Sequence, residues 1–178
     1  MRMNTIIEEL DRSSKTIAPE KLQEVIKKIK EHKRIFVYRN LIRSASKAFA
    51  MRLMQIGLNS YVVGETTTPS VQEGDLLIVA SASGETGSVC MTAESAVKQG
   101  VDLIVISSAP ESTLGKIHAP DIEIEAATKF ATSKVSVQPL GSLFEQMLLM
   151  VFDTIILEMS EEKEGSNEDM AKRHASLE

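Results

Sequence analysis

The 178-residue chain is poor in the residues that build several common kinds of site. It has one cysteine, Cys90, so neither an intramolecular disulfide nor a cysteine-built zinc site is possible. Its three histidines, His32, His118 and His174, are too few and too scattered in sequence for a histidine-rich metal site. There is no tryptophan and aromatics make up only 4%, which removes the stacking platforms used for single-stranded nucleic acid. The formal charge of −5 argues against a basic face for phosphate backbones. No apolar run approaches the ~18 residues of a membrane span, and the opening MRMNTIIEELDRSS carries acidic residues where a signal peptide needs an apolar core. A cytoplasmic address without membrane or nucleic-acid partners is therefore expected. With 43% hydrophobic and 25% charged residues, wholesale disorder is excluded and the length suits one domain.

What is present follows two alternating periods. Ile6, Ile7 and Leu10 recur at helical spacing, and Pro19 opens a second segment whose Leu22, Val25, Ile26 and Ile29 share a face. After His32-Lys33-Arg34 come three short uninterrupted apolar runs: Ile35–Tyr38, Leu76–Ala80 and Leu103–Ile106. Such runs are the form of strands buried on both faces. Weaker strands are expected at Tyr61–Val63 and Ile122–Ile124. Helical stretches lie between them, Ser46 to Ile56 and Val89 to Gln99, the latter closed by Gly100. This alternation predicts crossover connections and a mostly parallel sheet of about five strands in a three-layer α/β/α sandwich. Residues 1–31 would be N-terminal helices, 32–125 the α/β core and 138–178 C-terminal helices of one domain. Ala126 to Gln138 reads as a polar loop. Leu140 to Met159 reads as a helix apolar nearly all round, and burial against another subunit is expected of it. Glu161 to Asp169 reads as a solvated tail, with a helical period returning from Met170 to Leu177.

The sharpest chemical signal is Ser81-Ala82-Ser83-Gly84-Glu85-Thr86-Gly87-Ser88, directly after the strongest strand and before a helix. In an open parallel sheet ligands bind outside the carboxyl ends of the strands. Small residues admit a ligand to the backbone, a helix N-terminus offers unpaired N–H groups, and the hydroxyls of Ser81, Ser83 and Thr86 suit a phosphate. An ordinary Ser/Gly/Thr helix cap has the same composition, and the anion site is the preferred of the two. Neither a Gly-Lys-Ser/Thr nor a GxGxxG pattern is present, which excludes the common nucleotide loops. Glu85 would repel a dianion and is expected to point outward or to cap; Cys90 is expected to be a small packed thiol, and Arg52 a structural ion-pair partner.

The chain resembles the sugar isomerase (SIS) domain family, and within it the 6-phospho-3-hexuloisomerases. The resemblance rests on Lys47–Leu53, Val63-Gly64-Glu65-Thr66, Pro69, Gly74-Asp75-Leu76, the Ser81–Thr86 loop, Gln138–Glu145 and the closing Arg173-His174-Ala175-Ser176-Leu177-Glu178, in family order. One stretch departs. The family's Gly-x-Gly-Arg-Ser-Gly loop after the first strand is here Tyr38-Arg39-Asn40-Leu41-Ile42-Arg43-Ser44, without glycine and one residue shorter. Arg43 and Ser44 match only if the gap precedes them.

The resemblance implies a flavodoxin-like SIS fold and a cofactor-free, metal-free conversion of 3-hexulose 6-phosphate to fructose 6-phosphate through an enediol, in formaldehyde fixation by the ribulose monophosphate route. It also implies a homo-oligomer, usually a tetramer. Glu145 becomes the first choice of base, because apolar neighbours on its helix face would desolvate it and raise its pKa; the alternative is a helix-end Glu serving the dipole or a buried ion pair. His174 is the second proton-transfer candidate, at a neighbour's site if the tail docks across a subunit boundary. Ser44 joins Ser81, Ser83 and Thr86 as a phosphate ligand, and Glu65 follows the second strand where it could line the pocket or simply serve the turn. A non-catalytic phosphosugar-binding module, or an isomerase of another phosphosugar, remain the alternatives.

Overall fold

The three uninterrupted apolar runs become the central strands of one parallel sheet. The computed structural model describes residues 2–38, 43–126, 135–162 and 166–175. Its strands are β1 (Arg34–Tyr38), β2 (Asn59–Val63), β3 (Leu76–Ser81), β4 (Asp102–Ser107) and β5 (Ile122–Glu123), ordered β2-β1-β3-β4-β5 with every neighbouring pair parallel. All six residues of β3 are buried, as a strand covered on both faces requires. Alternate residues feed two cores. Ile35, Val37, Leu76, Ile78, Ile104 and Ile106 meet one layer of helices, and Phe36, Leu77, Val79, Leu103 and Val105 meet the other.

The first layer contains α1 (Arg2–Ser14), α2 (Pro19–Glu31), α3 (Arg43–Gln55), α6 (Ser142–Glu161) and α7 (Ser166–Lys172); the second contains α4 (Gly87–Lys98) and the short α5 (Thr113–Ile117). Gly100, at φ +71°, ends α4 as expected of a C-terminal glycine. The bounds expected for the last helix need correcting. The last helix starts at Ser166 rather than Met170, with the exposed Glu168 and Asp169 suiting its positive end. The helix stops at Lys172 instead of continuing to Leu177; Ser176 to Glu178 and most of the Ala126–Gln138 loop lie outside the described residues. Within one chain the long helix α6 buries only part of its surface, which leaves the expected burial against another subunit untested. Phe144, Leu148, Val151, Phe152 and Ile155 are buried, and the Phe152 ring stacks on Phe49 at 4.0 Å, yet Leu149, Met150 and Leu157 are exposed, as are Met51 and Met54 of α3. Among the described residues no helix is long and apolar enough to cross a membrane.

The direction of α6 decides which edge of the sheet Glu145 reaches. Lys30 at the end of α2 pairs with Glu162 at the end of α6. Since α2 leads into β1, this places the end of α6 at the amino edge of the sheet and its beginning, with Glu145, at the carboxyl edge.

One part-buried ion pair, with its carboxylate inside and its guanidinium partly exposed, fixes the amino edge. Asp75, before β3, accepts a hydrogen bond from Arg34 Nε at 2.8 Å, another from Arg34 Nη2, and one from the Gln72 N–H at 2.7 Å. Burial alone would push its carboxyl up, but Arg34 and the Gln72 amide together hold it below the ordinary aspartate value of 3.8. A carboxyl lowered in the folded state stabilises fully above its unfolded pKa, and that contribution is lost as pH falls through the lower folded one. Asp75→Asn should therefore cost about 3 kcal/mol at neutral pH in urea unfolding. The variant should also lose less stability than wild type between neutral pH and pH about 3; equal losses would remove Asp75 from the acid response.

Candidate functional site

The loop after β3 buries the Ser81 hydroxyl and leaves Ser83 and Thr86 half-buried. Ser81 Oγ, almost fully buried, accepts the Gly84 N–H at 3.1 Å and lies 3.3 Å from Thr86 Oγ1. Ser83 Oγ accepts the Glu85 N–H at 3.3 Å. Thr86 occupies the N-cap position of α4, yet its side chain makes no cap hydrogen bond. The first amides of α4 thus have no side-chain cap, while the Val89 and Cys90 N–H groups donate to the Thr86 carbonyl at 2.9 and 3.0 Å. Gly84 has φ +63°, and a Cβ there would lie 1.9 Å from Ser112 Oγ, so the residue must be glycine.

The flanking residues settle as their chemistry suggests. Glu85 turns outward, accepting the Thr113 N–H at 2.9 Å and the Thr113 hydroxyl at 2.7 Å. Cys90 is buried with its thiol donating to the Gly84 carbonyl at 3.4 Å, and burial pushes its pKa up. Arg52 pairs with Asp153 at 3.3 Å. His32 meets Asp102 at 2.8 Å and His118 lies 3.5 Å from Asp121; both stand away from the loop's edge or outside its hydrogen bonds.

Beside the loop, β1 and β2 end at the same carboxyl edge. Ser44 is exposed in the first turn of α3, and Glu65, just past Gly64 at φ +86°, pairs with Lys47 at 2.8 Å. Lys47 had no role from the sequence, yet it brings a cation to the turn beside Ser44. Residues 39–42 of the shortened turn lie outside the described residues.

Glu145 reaches this edge from the first turn of α6, where its N–H donates to the Gly141 carbonyl at 3.0 Å. It is exposed, so the expected desolvation is not met within one chain. The reason lies in helical spacing: Phe144 and Leu148 face the core, while Glu145 shares its stripe with exposed Leu149. The segment leading into α6 is held by a residue with no sequence signal. Glu9 of α1, 4% exposed, accepts from Ser136 Oγ at 2.6 Å, the Val137 N–H at 2.7 Å and Gln138 Nε2 at 2.9 Å. Burial alone would raise its pKa, but these three bonds and the nearby Arg12 hold it below the usual glutamate range. Leu140 then takes φ 54°, a left-handed conformation unusual for a leucine, immediately before the helix.

His174 lies elsewhere. Arg173 Nη1 donates to the Gln55 carbonyl at 3.2 Å, and its guanidinium covers Gly57, at the turn between α3 and β2. That is the amino edge, a strand length of about 17 Å from the loop. His174 is exposed there, its Nδ1 3.1 Å from the Ala175 carbonyl. One chain therefore gathers Ser44, Glu65, Ser81, Ser83, Thr86 and Glu145 at one edge and leaves His174 at the other. The gathered groups can hold a phosphate and present a carboxylate beside it.

The chain is similar in sequence and in fold to known proteins. Residues 28–154 match the SIS domain. The chain is 42% identical over 135 residues to the 3-hexulose-6-phosphate isomerase of Bacillus subtilis, covering 75% of this chain and 73% of that one. It is 35% identical over 179 residues to the protein of the same name from Mycobacterium gastri, covering 99% and 89%. A Methanococcus jannaschii crystal structure, described as inferring a 3-hexulose-6-phosphate isomerase function, superposes with a TM-score of 0.83 at 30% identity, covering 99% of both chains.

Proposed function

The chain belongs to the SIS domain family, and from that membership we propose that it is a 6-phospho-3-hexuloisomerase, interconverting 3-hexulose 6-phosphate and fructose 6-phosphate. The observation that carries the reading is the meeting of a phosphate-type loop and an exposed carboxylate, Glu145, at the carboxyl ends of the strands of a chain related to isomerases of that name. The substrate phosphate sits on the hydroxyls of Ser81, Ser83 and Thr86 and the first amides of α4, with Ser44 beside them. The hydrogen on carbon 2 is then within reach of Glu145. The carboxylate removes it, the electron pair forms a double bond to carbon 3, and the carbon 3 carbonyl oxygen takes up a proton to become an enediol hydroxyl. Return of a proton to carbon 3 and loss of the carbon 2 hydroxyl proton complete the exchange. Carbon 2 is oxidised as carbon 3 is reduced, so no external electron carrier enters. Glu65 and Lys47 stand where they can meet sugar hydroxyls.

The separation of His174 from the loop supports a shared site. The exposed apolar stripe of Met51, Met54, Leu149, Met150 and Leu157 is suited to a second copy, which would also shield Glu145 and bring its own His174 to the sugar ring. A homo-oligomer, with a tetramer as the family's usual form, follows from this reading. So do a cytoplasmic address among phosphorylated metabolites and a place in the ribulose monophosphate route.

A coupled assay for fructose 6-phosphate, with 3-hexulose 6-phosphate made in place by a partner synthase, tests the activity. Turnover is expected. No turnover, with the phosphosugar still raising Tm, would favour a binding module. Neither response would mean that the sugar is wrong.

A further inference from the structure

The phosphate loop is tied within itself by Ser81 and Ser83, and the turn after β4 holds it from outside. The Ala82 carbonyl accepts the Ser108 N–H at 3.2 Å, and the Gly84 carbonyl accepts the Leu114 N–H at 3.0 Å. Gly84 lies against Ser112, whose hydroxyl caps α5 by accepting the Gly115 N–H at 3.2 Å. The outermost link is the pair of bonds from Thr113 to Glu85, the only charged side chain in the loop.

We infer that Glu85 is a positioning residue for phosphate binding: its two-oxygen grip on Thr113 closes the Ser81–Thr86 loop onto α5 and keeps its own charge turned away from the anion. The inference rests on the reading of this loop as the substrate's phosphate site. On that reading, Glu85 stands in an awkward place, two residues from each of Ser83 and Gly87, where a loose carboxylate would face a dianion. In the clamp both of its oxygens point at donors on another element. Thr113, through its hydroxyl and its amide, together with Lys116, holds the carboxyl below the usual glutamate range, which describes a charge already satisfied where it lies. An exposed polar pair contributes little to global stability. Its effect falls instead on the loop, whose hydroxyls and amides bind best when they are already arranged. Glu85 touches no substrate atom and takes no part in proton transfer.

The test uses the full chain with Glu85→Ala, Thr113→Val and Thr113→Ser. Glu85→Ala should raise KM for 3-hexulose 6-phosphate about tenfold and weaken the protection by inorganic phosphate against thermal unfolding to a similar degree. Its kcat should stay within about twofold, because the reacting carbons are untouched. Thr113→Val should move KM in the same direction, Thr113→Ser should match wild type, and the Glu85→Ala/Thr113→Val pair should be no worse than Glu85→Ala. An unchanged KM and phosphate affinity with a lowered Tm would reduce Glu85 to a local cap and overturn the inference. Tighter phosphate binding by Glu85→Ala would overturn it too, showing that repulsion outweighs positioning. Should Glu85→Ala fold poorly, the Thr113→Val and Thr113→Ser comparison decides by itself. A wild-type chain that neither turns over the sugar nor responds to phosphate would instead remove the premise, an outcome distinct from equal responses of wild type and variant.

Discussion

Glutamine in place of Glu145 should lower turnover by at least about 100-fold while leaving the fold and KM nearly unchanged. A positioned general base contributes ~10²–10⁴ in rate, and an amide of the same shape cannot accept the proton. Glu145 is exposed and its backbone N–H supplies the helix bond, so the substitution should change stability by no more than about 0.5 kcal/mol. Substrate affinity should persist because the phosphate is held on the separate loop after β3. A drop confined to kcat is the signature of a group that acts only as the transition state forms. The same variant tests the shared site. Mixing Glu145→Gln subunits with His174→Asn subunits should recover part of the activity if each site takes Glu145 from one chain and His174 from another, since some sites then have both. No recovery, from subunits shown to exchange, would place both groups' duties within one chain or remove His174 from the chemistry. Wild-type turnover by Glu145→Gln would end its candidacy as the base.

The parts legible in the sequence were those governed by local pattern. Continuous apolar runs announced the strands because both faces of β3 and β4 are covered, and the Ser81–Thr86 loop announced itself because small hydroxyl residues were packed between a strand and a helix. The parts not legible depend on contacts far along the chain. The helix α5 has five residues and is stabilised by Ser112 and by Glu85, the latter 28 residues away from Thr113, so no periodicity could reveal it. Glu9 resembles any acidic residue on an amphipathic helix, and its partners lie 127 to 129 residues on. Glu145 was expected to be desolvated because apolar residues crowd its helix. The stripe it shares with Leu149 is nevertheless the one a single chain leaves open, so its environment depends on a neighbour rather than on its own sequence surroundings. The position of His174 hangs on Arg173 reaching the Gln55 carbonyl, a contact between the last helix and the third that sequence spacing does not encode.

Gly84→Ala should be the most damaging single-methyl change within the Ser81–Thr86 loop, lowering stability by about 3 kcal/mol and substrate affinity by at least about 100-fold. Two costs coincide at this position. The backbone sits at φ +63°, where an L side chain meets its own carbonyl, and the added Cβ would fall 1.9 Å from Ser112 Oγ and 2.5 Å from Ser112 Cβ. Neither neighbour can yield freely, because Ser112 caps α5 and the Gly84 carbonyl is bonded to Leu114 and Cys90. Moving the loop outward to make room would carry Ser81, Ser83 and the start of α4 with it, and the phosphate would lose several ligands at once. Removing the obstruction in the double variant Gly84→Ala/Ser112→Gly should recover part of the stability, leaving the backbone cost and the lost cap, each about 1 kcal/mol. Gly87→Ala supplies the control for the fold. A Cβ there meets nothing within 4 Å, so urea unfolding should stay within about 0.5 kcal/mol of wild type. If Gly84→Ala matched wild type in both unfolding and KM, Ser112 would have to give way without consequence, and the loop would not owe its shape to the turn after β4.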